Sequence, residues 1–584
     1  MTNQSSLEAK RHSLSHLLAA AVLEFWPEAK PTLGPPVDNG FYYDFDFPIA
    51  IAEADLAKIE ERMVALLKTW DTFQRFEVTA QEAKAEFKDN QYKHELIDGI
   101  AAEGGKITIY QSGKLRDLCR GGHVEHANEI KPGSWKLDRL AGAYWRGDEH
   151  NKMLTRIYGL AFDTKQELAA YLKQREEAAK RDHKKLGVEL DLFTFSDLVG
   201  PGLPLWTPKG TTLRNLLDAF VWELREKRGY MRVEIPHITK KELYEMSGHW
   251  DKFKNELFRI TTREGHEFAM KPMNCPHHTQ IYARRAWSYR ELPQRYANTT
   301  TCYRDEQTGE LAGLSRVRAF AQDDAHVFCR MNQVKEEFLK IWDIVQEFYP
   351  AFGFNLRVRL SIHDPLHQEK YLGDPEHWTK AENILREIVT EKKIDWFEGL
   401  GEAAFYGPKL DFMAKDAIGR EWQVATIQLD MNMPERFNLT CMSEAGQKER
   451  IVMIHAAIMG SIERFLSILI EHTAGAFPTW LAPVQVKILP VGESHQDFCQ
   501  KLADTMRQNY IRVEVDDANE TIGNKIRKAE HEKVPYSLVI GDKEIASGQL
   551  AIRRRGQKEL TNMERGEFIS QLLQQIKTRQ PISN

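Results

Sequence analysis

Residues 300–324 read TTCYRDEQTGELAGLSRVRAFAQDD, and the reading of this stretch decides the fold. Two short runs with alternating polar residues flank a turn, which predicts a β-hairpin carrying Arg304, Glu306, Arg316 and Arg318, with faces assignable by parity. Guanidinium forks match phosphate oxygens, and Phe320 offers a face on which a base can stack, so the group suits a nucleotide. Taken alone, the same residues describe a surface hairpin with solvated ion pairs equally well.

The rest of the chain must therefore arbitrate. At 584 residues it is too long for one core and calls for several domains. A net charge of -5 excludes wholesale coating of nucleic acid by a basic surface and leaves room for a local patch. Six scattered cysteines do not form the dense framework of a secreted scaffold and fit reduced thiols in a cytosol. Lys10 and Arg11 before LLAAAVL imitate a secretory signal, but His12 and His16 interrupt the pattern and Glu24 follows it. No stretch approaches the ~18 uninterrupted apolar residues of a membrane span, so no membrane partner is expected.

Residues 7–26 carry a helical period, and PTLGPPVDNGFYYDFD then brings prolines, an Asn-Gly turn and an aromatic strand, opening a mixed α/β module. KQELAAYLKQREEAAKRDHKKL reads as one charged, solvated connector helix. Beyond it, KGTTLRNLLDAFVWELREKRGYMRVEIPHI predicts a helix and a strand ending at Pro236, and AAIMGSIERFLSILIEHTAG an amphipathic helix stopped by glycine. After FPTWLAPVQ, strand and helix alternate, which predicts a small α/β domain with a largely parallel sheet.

KPMNCPHH at 271–278 looks like the start of a metal site, although neither His277 nor His278 can be assumed to be a ligand. Any single histidine is as readily a hydrogen-bonded core residue. At the other end of the chain, His12 and His16 lie four apart on a helix, and DLCRGGH places Cys119 and His123 four apart beside Asp117. Zinc ligation by that quartet is the chemical guess, and a buried cysteine with helix histidines is the plainer alternative.

Arg304-x-Glu306, a loop, and Arg316-x3-Phe320 resemble motif 2 of the class II aminoacyl-tRNA synthetases. GSIERF, with Arg464, is similar to motif 3, and the helix and strand ending at Pro236 to motif 1. Together with KPMNCPHH, FYGPKLDF, IQLD and FPTWLAPVQV, the set resembles the threonyl-tRNA synthetase family over essentially the whole chain.

The resemblance implies a multidomain α/β and α+β fold: an editing domain at 1–163, a helical linker at 164–187, an antiparallel-sheet catalytic domain at 188–480, and an α/β anticodon-binding domain at 481–584. It implies a cytoplasmic homodimer that charges tRNA(Thr) with L-threonine using ATP and magnesium, with motif 1 at the dimer interface. Arg304 then holds the α-phosphate and the amino-acid carboxylate, and Glu306 the adenine side. Arg316 and Arg464 meet the γ-phosphate, and Phe320 stacks on adenine. One zinc per subunit falls to Cys275, His326 and His455, with an open position for threonine. Gln322, Asp324, Gln423, Tyr406 and Lys409 line the amino-acid pocket, with Asp324 toward the ammonium, and His249 falls near the tRNA terminal ribose.

Chelation rejects valine, but serine keeps the hydroxyl and lacks only a methyl, a difference worth about 1–3 kcal/mol, so a hydrolytic correction site is expected. The resemblance places it at His12, His16, Cys119, His123, Lys93, Asp117 and Tyr43. The alanyl relatives bind metal at such a quartet, whereas the threonyl editing site positions substrate and water without it. In the C-terminal domain Asn519, Glu544 and Arg553 fall where the family reads anticodon bases, with RRR at 553–555 as a local basic patch; an exposed cationic edge strand would read alike.

Two departures stand out. Ala425 replaces the usual glycine, and Ala456 the usual arginine. The sequence also begins at the editing module where many relatives carry a small β-grasp domain first, which implies a bacterial-type chain without it. Rival readings are a synthetase-like regulator that does not charge tRNA, opposed by Arg304, Glu306, Arg464 and the zinc trio, and an enzyme for another amino acid such as serine, opposed by the trio itself.

Overall fold

The computed structural model describes residues 3–148 and 150–581, in two compact units, Met1–Glu177 and Ala178–Asn584. No helix among the described residues is long and apolar enough to cross a membrane.

The first unit opens with the helix Asn3–Phe25. Its apolar residues Leu14, Leu17, Leu18, Ala21 and Val22 recur at helical spacing and are buried in one core with Phe41, Tyr43 and Phe45 of the strand Gly40–Asp46. Asn39, at φ 65, makes the expected turn into that strand. A Cβ on Gly40 would lie 1.9 Å from the Gly159 carbonyl oxygen, so only glycine permits the pairing with Met153–Ala161. A five-stranded antiparallel sheet results, beside a three-stranded one made of Gln74–Val78, Ile107–Ser112 and Leu115–Leu118.

The charged connector is two helices, not one. Lys165–Lys180 ends, and His183–Glu189 restarts because the Asp182 side chain accepts the Lys184 N–H at 2.8 Å. His183, Leu186 and Gly187 are buried, so this second piece is core and not a solvated spacer.

The second unit is built on an eight-stranded sheet in the order Met231–Arg232, Gln294–Tyr303, Ala319–Cys329, Val452–Ser461, Glu421–Asp430, Lys409–Lys415, Asn355–Ile362, Trp396–Leu400. It is antiparallel except where the two outermost strands join. Of the predicted strand ending at Pro236 only Met231–Arg232 pairs. The helices Pro208–Glu226, Val334–Phe348 and Ile462–Thr473 bury their apolar residues in the same core as the sheet.

The hairpin expectation needs correction. Gln294–Tyr303 and Ala319–Cys329 do pair antiparallel, but 304–318 is a long connection between them. Arg304, Glu306, Arg316 and Arg318 sit in this loop, where strand parity assigns nothing. Parity does hold further along, where Gln322, Asp324 and His326 alternate with Asp323 and Ala325 on Ala319–Cys329.

The C-terminal sheet runs Val513–Val515, Val486–Pro490, Tyr536–Ile540, Gln549–Arg554, Leu560–Glu564. Two pairings are parallel and two antiparallel, so it is mixed where a largely parallel sheet was expected. Left-handed Gly548, φ 70, ends the short helix Asp542–Ser547 and lets the chain turn back into an antiparallel strand.

Candidate functional site

On the large sheet, His326 and His455 are direct cross-strand partners, and Cys275 begins the helix Cys275–Ala283. Their ligand atoms lie within 4.8 Å of one another and all three residues are buried. His455 Nε2 stands 2.9 Å from Asp430 Oδ2, and His326 Nδ1 2.7 Å from His278 Nδ1. A carboxylate only accepts, so His455 keeps its proton on Nε2 and turns the Nδ1 lone pair to His326 Nε2, 3.1 Å away. A soft divalent cation would take the inward lone pairs of both rings beside the thiol, which places the His326 proton on Nδ1 toward His278. Burial pushes the Cys275 thiol well up, so without a cation it stays protonated, and a coordinating metal deprotonates a thiol outright. The buried trio thus fits a zinc site.

His278 is therefore no bystander of KPMNCPHH, because it sets the orientation of His326. His277 is buried with neither ring nitrogen partnered, and only it remains outside the cluster. His249 opens the short helix His249–Lys252, is fully buried, and points Nε2 to within 3.7 Å of Cys275 Sγ; burial pushes its pKa down to about 3.

Asp324 is also buried, and burial pushes its pKa up. Its Oδ2 accepts from Asn274 at 3.0 Å, and Asn274 Oδ1 accepts from the buried Lys271 ammonium at 3.0 Å, which fixes the amide so that nitrogen faces the carboxylate. Tyr406 packs its ring 5.1 Å from that of His455. Gln423 and Lys409 converge on buried Asp411, at 2.8 and 2.7 Å, which also accepts from Arg359, Ser361 and Thr426. Gln322 makes only a weak contact, 3.9 Å from Cys302 Sγ. Ala425 and Ala456 are both buried on the sheet; the Ala456 carbonyl accepts from Arg225 at 3.4 Å.

In the connection 304–318 the Arg304 guanidinium carbon lies 5.2 Å from the ring centroids of both Phe253 and Phe320, and its Nε is buried without a partner. Glu306 accepts Arg316 Nε at 2.8 Å, and Arg316 also reaches Glu310 at 3.3 Å. Arg464 is exposed on the first turn of Ile462–Thr473, and its guanidinium has no partner among the described residues. Beneath the sheet, Arg225 donates to the Asp323 carbonyl at 2.9 Å, and Asp323 takes the Ile458 and Met459 N–H groups at 2.9 and 3.0 Å.

In the first unit His12, His16, Cys119 and His123 also bring their ligand atoms within 4.8 Å of one another. Cys119 Sγ is 3.4 Å from His12 Nε2 and 3.3 Å from His123 Nε2, and Ser13 Oγ is 3.2 Å from His123 Nδ1. Asp117 pairs with Lys93 at 2.5 Å and accepts from the Tyr43 hydroxyl, with His16 3.9 Å away. Burial pushes the Cys119 thiol up to about 12.

The C-terminal residues do not come together in the same way. Asn519 is exposed, Glu544 accepts the Gly541 N–H at 2.9 Å, and Arg553 pairs with Glu530 at 2.6 Å. Arg553 lies on an interior strand, not an edge, and Arg555 donates to the carbonyls of Lys533 and Phe477, so RRR is not a uniform surface patch.

Phe253, His278, Lys271, Asn274, Asp411 and Asp430 were not singled out as functional from the sequence. IQLD contained Asp430 and KPMNCPHH the Lys271–Asn274 pair, but only the pairing of distant strands shows whom they serve.

The antiparallel sheet with a basic loop between its central strands and an arginine on the following helix defines a class II synthetase core. Residues 258–473 match the tRNA synthetase class II core domain (G, H, P, S and T), 485–575 the anticodon binding domain, and 107–158 the threonyl and alanyl tRNA synthetase second additional domain. The threonine–tRNA ligase of Flavobacterium johnsoniae is 49% identical over 572 residues, covering 97% of this chain and 88% of the relative; that of Staphylococcus carnosus is 45% identical over 585 residues, covering 100% and 90%. A crystal structure described as the RNA binding domain of threonyl-tRNA synthetase from Cryptosporidium parvum superposes with a TM-score of 0.63 at 36% identity, over 67% of this chain and 97% of that one. The chain belongs to the threonine–tRNA ligase family.

Proposed function

We propose that the chain ligates L-threonine to tRNA(Thr) in the cytoplasm through a threonyl-adenylate and hydrolyses seryl-tRNA(Thr) formed in error. The carrying observation is the buried Cys275–His326–His455 trio with Asp324 beside it on the same strand as His326, in a family of threonine–tRNA ligases. The trio would hold zinc, whose chemistry there is chelation of the amino and hydroxyl groups of threonine.

Asp324 takes the threonine ammonium, with Gln322, Gln423, Tyr406 and Lys409 around the rest of the amino acid. Arg304 holds the threonine carboxylate against the α-phosphate, so that a carboxylate oxygen attacks phosphorus and pyrophosphate leaves. Glu306 and Phe320 hold adenine, while Arg316 and Arg464 neutralise the leaving group, which magnesium would accompany. For Arg316 this requires exchange of its partners Glu306 and Glu310 for phosphate. The terminal ribose hydroxyl of tRNA then attacks the carbonyl carbon, the anhydride bond to the adenylate breaks and AMP leaves, with His249 near the proton that the hydroxyl gives up.

The residues His12, His16, Cys119, His123, Lys93, Asp117 and Tyr43 form the editing site within 1–163, joined through 164–187 to the catalytic domain at 188–480. Asn519, Glu544 and Arg553 contact the anticodon from 481–584, and motif 1 forms a homodimer. The test is ATP-dependent acylation of tRNA with threonine, serine and valine. Stable charging with threonine alone is expected, and stable charging with valine, or none with threonine, would refute the reading.

A further inference from the structure

His183, where the connector restarts as a helix, is buried and uses both ring nitrogens. Nε2 accepts the backbone N–H of Leu314 at 3.1 Å. That N–H can only donate, so the ring proton is on Nδ1, which lies 2.7 Å from Glu471 Oε1. The backbone N–H of His183 reaches the same oxygen at 3.3 Å, and Arg420 Nη2 pairs with the other Glu471 oxygen at 2.7 Å. Asp182, His183 and Glu471 gather their ligand atoms within 4.8 Å, yet the ring has no free lone pair for a cation, which excludes a metal there.

Leu314 belongs to the loop 304–318, and its side chain is fully buried in the main core. Gly313 beside it has φ +56, and a Cβ there would lie 2.3 Å from His183 Nε2, so glycine is what lets the loop approach. Glu471 belongs to the last turns of Ile462–Thr473, the helix whose first turn carries Arg464. Arg181 Nη1 donates to the carbonyls of Glu471 and His472 at that same end, at 3.4 and 3.1 Å.

We propose that His183 is a positioning residue for the nucleotide, tying the loop that bears Arg304, Glu306 and Arg316 to the helix that bears Arg464. The inference rests on the reading of that loop as the ATP site. The loop closes at its base through the Arg304 N–H on the Arg318 carbonyl and the Arg318 N–H on the Gly202 carbonyl, and the Leu314 tether shortens the free span beyond. Loss of the tether spreads the arginines over more positions and weakens ATP without touching the threonine pocket.

Two substitutions separate the two bonds. His183→Asn keeps an amide nitrogen near Nδ1 and loses the acceptor for Leu314, whereas His183→Gln places an amide oxygen near Nε2 and keeps it. In ATP–pyrophosphate exchange, His183→Asn is expected to raise the KM for ATP about three- to tenfold, the range of one net hydrogen bond, with the threonine KM unmoved. His183→Gln is expected to rescue most of that loss, because the backbone N–H of residue 183 stays on Glu471 and Arg181 still holds the same helix end. Hydrogen exchange at the Leu314 amide quickens in the Asn variant and returns toward the wild-type rate in the Gln variant. Gly313→Ala, which pushes a methyl against Nε2, gives the same ATP defect should His183→Asn fail to fold.

Slow Leu314 exchange in His183→Asn, an equal loss in both variants, or a parallel rise in both KM values overturns the tether. An ATP KM indifferent to Arg304→Ala would instead overturn the nucleotide reading of the loop, and this inference with it.

Discussion

Both Cys–His clusters offer one thiol and imidazole nitrogens, two around Cys275 and three around Cys119, and they differ in what surrounds those donors. Around Cys275 every donor is buried, Asp430 faces one histidine and His278 the other, so each imidazole has its far nitrogen occupied and its near one aimed inward. Around Cys119, His12 and His123 are half-exposed, the nearest carboxylate is Asp117, and Lys93 and Tyr43 already hold it. The kinds of donor are thus common to both, and their partners separate a trio that fits a zinc site from a partly open quartet beside a carboxylate already engaged.

The sharpest way to break this contrast is to remove one sulfur from each. Cys275→Ala should lose threonine activation by more than the about 10- to 100-fold typical of outer partners, and lose bound zinc by atomic absorption. Chelation should reproduce the activation defect and leave clearance of preformed seryl-tRNA intact; if clearance stops too, the first-unit quartet is also a metal site. Cys119→Ala should leave threonine activation alone and slow deacylation of seryl-tRNA by about a hundredfold, the effect of misplacing a reacting group by an ångström. Unchanged clearance in that variant would remove Cys119 from the correction mechanism.

Smaller changes grade the comparison. Asp430→Asn should weaken zinc by about 10- to 100-fold, read by competition with a chromogenic chelator, because the Asn432 and Met433 N–H groups keep the amide oxygen and turn the NH2, a donor, toward His455. His278→Ala should cost about tenfold or less, since it removes one neutral hydrogen bond from His326. An equal effect from Asp117→Asn on zinc content would erase the distinction between the clusters.

Much of this was legible from residue order. The period of residues 7–26 shows in the buried stripe Leu14, Leu17, Leu18, Ala21 and Val22, and Asn-Gly at 39–40 does open the aromatic strand. Three misreadings share one cause, which is that local pattern does not report partners. The loop 304–318 passed for a hairpin because its charges alternate by chance, while the strands that pair begin and end outside it. The connector passed for one solvated helix because Asp182 and His183 look like any charged pair until Glu471 and Leu314 arrive. The C-terminal sheet is mixed because strand order is fixed by crossovers and not by alternation.

By itself the sequence determined the residue types that can bind phosphate and metal, the spacings that place them on helix or strand, and the succession of units along the chain. Those are properties of neighbours within a few residues, where backbone geometry is enough. Only the tertiary structure decided that His326 lies across from His455, that Asp430 and His278 orient them, and that His183 reaches the loop 304–318. Each of those contacts joins segments far apart in the chain. Burial makes an unpaired polar group costly, so the fold that pairs them selects which lone pair faces inward.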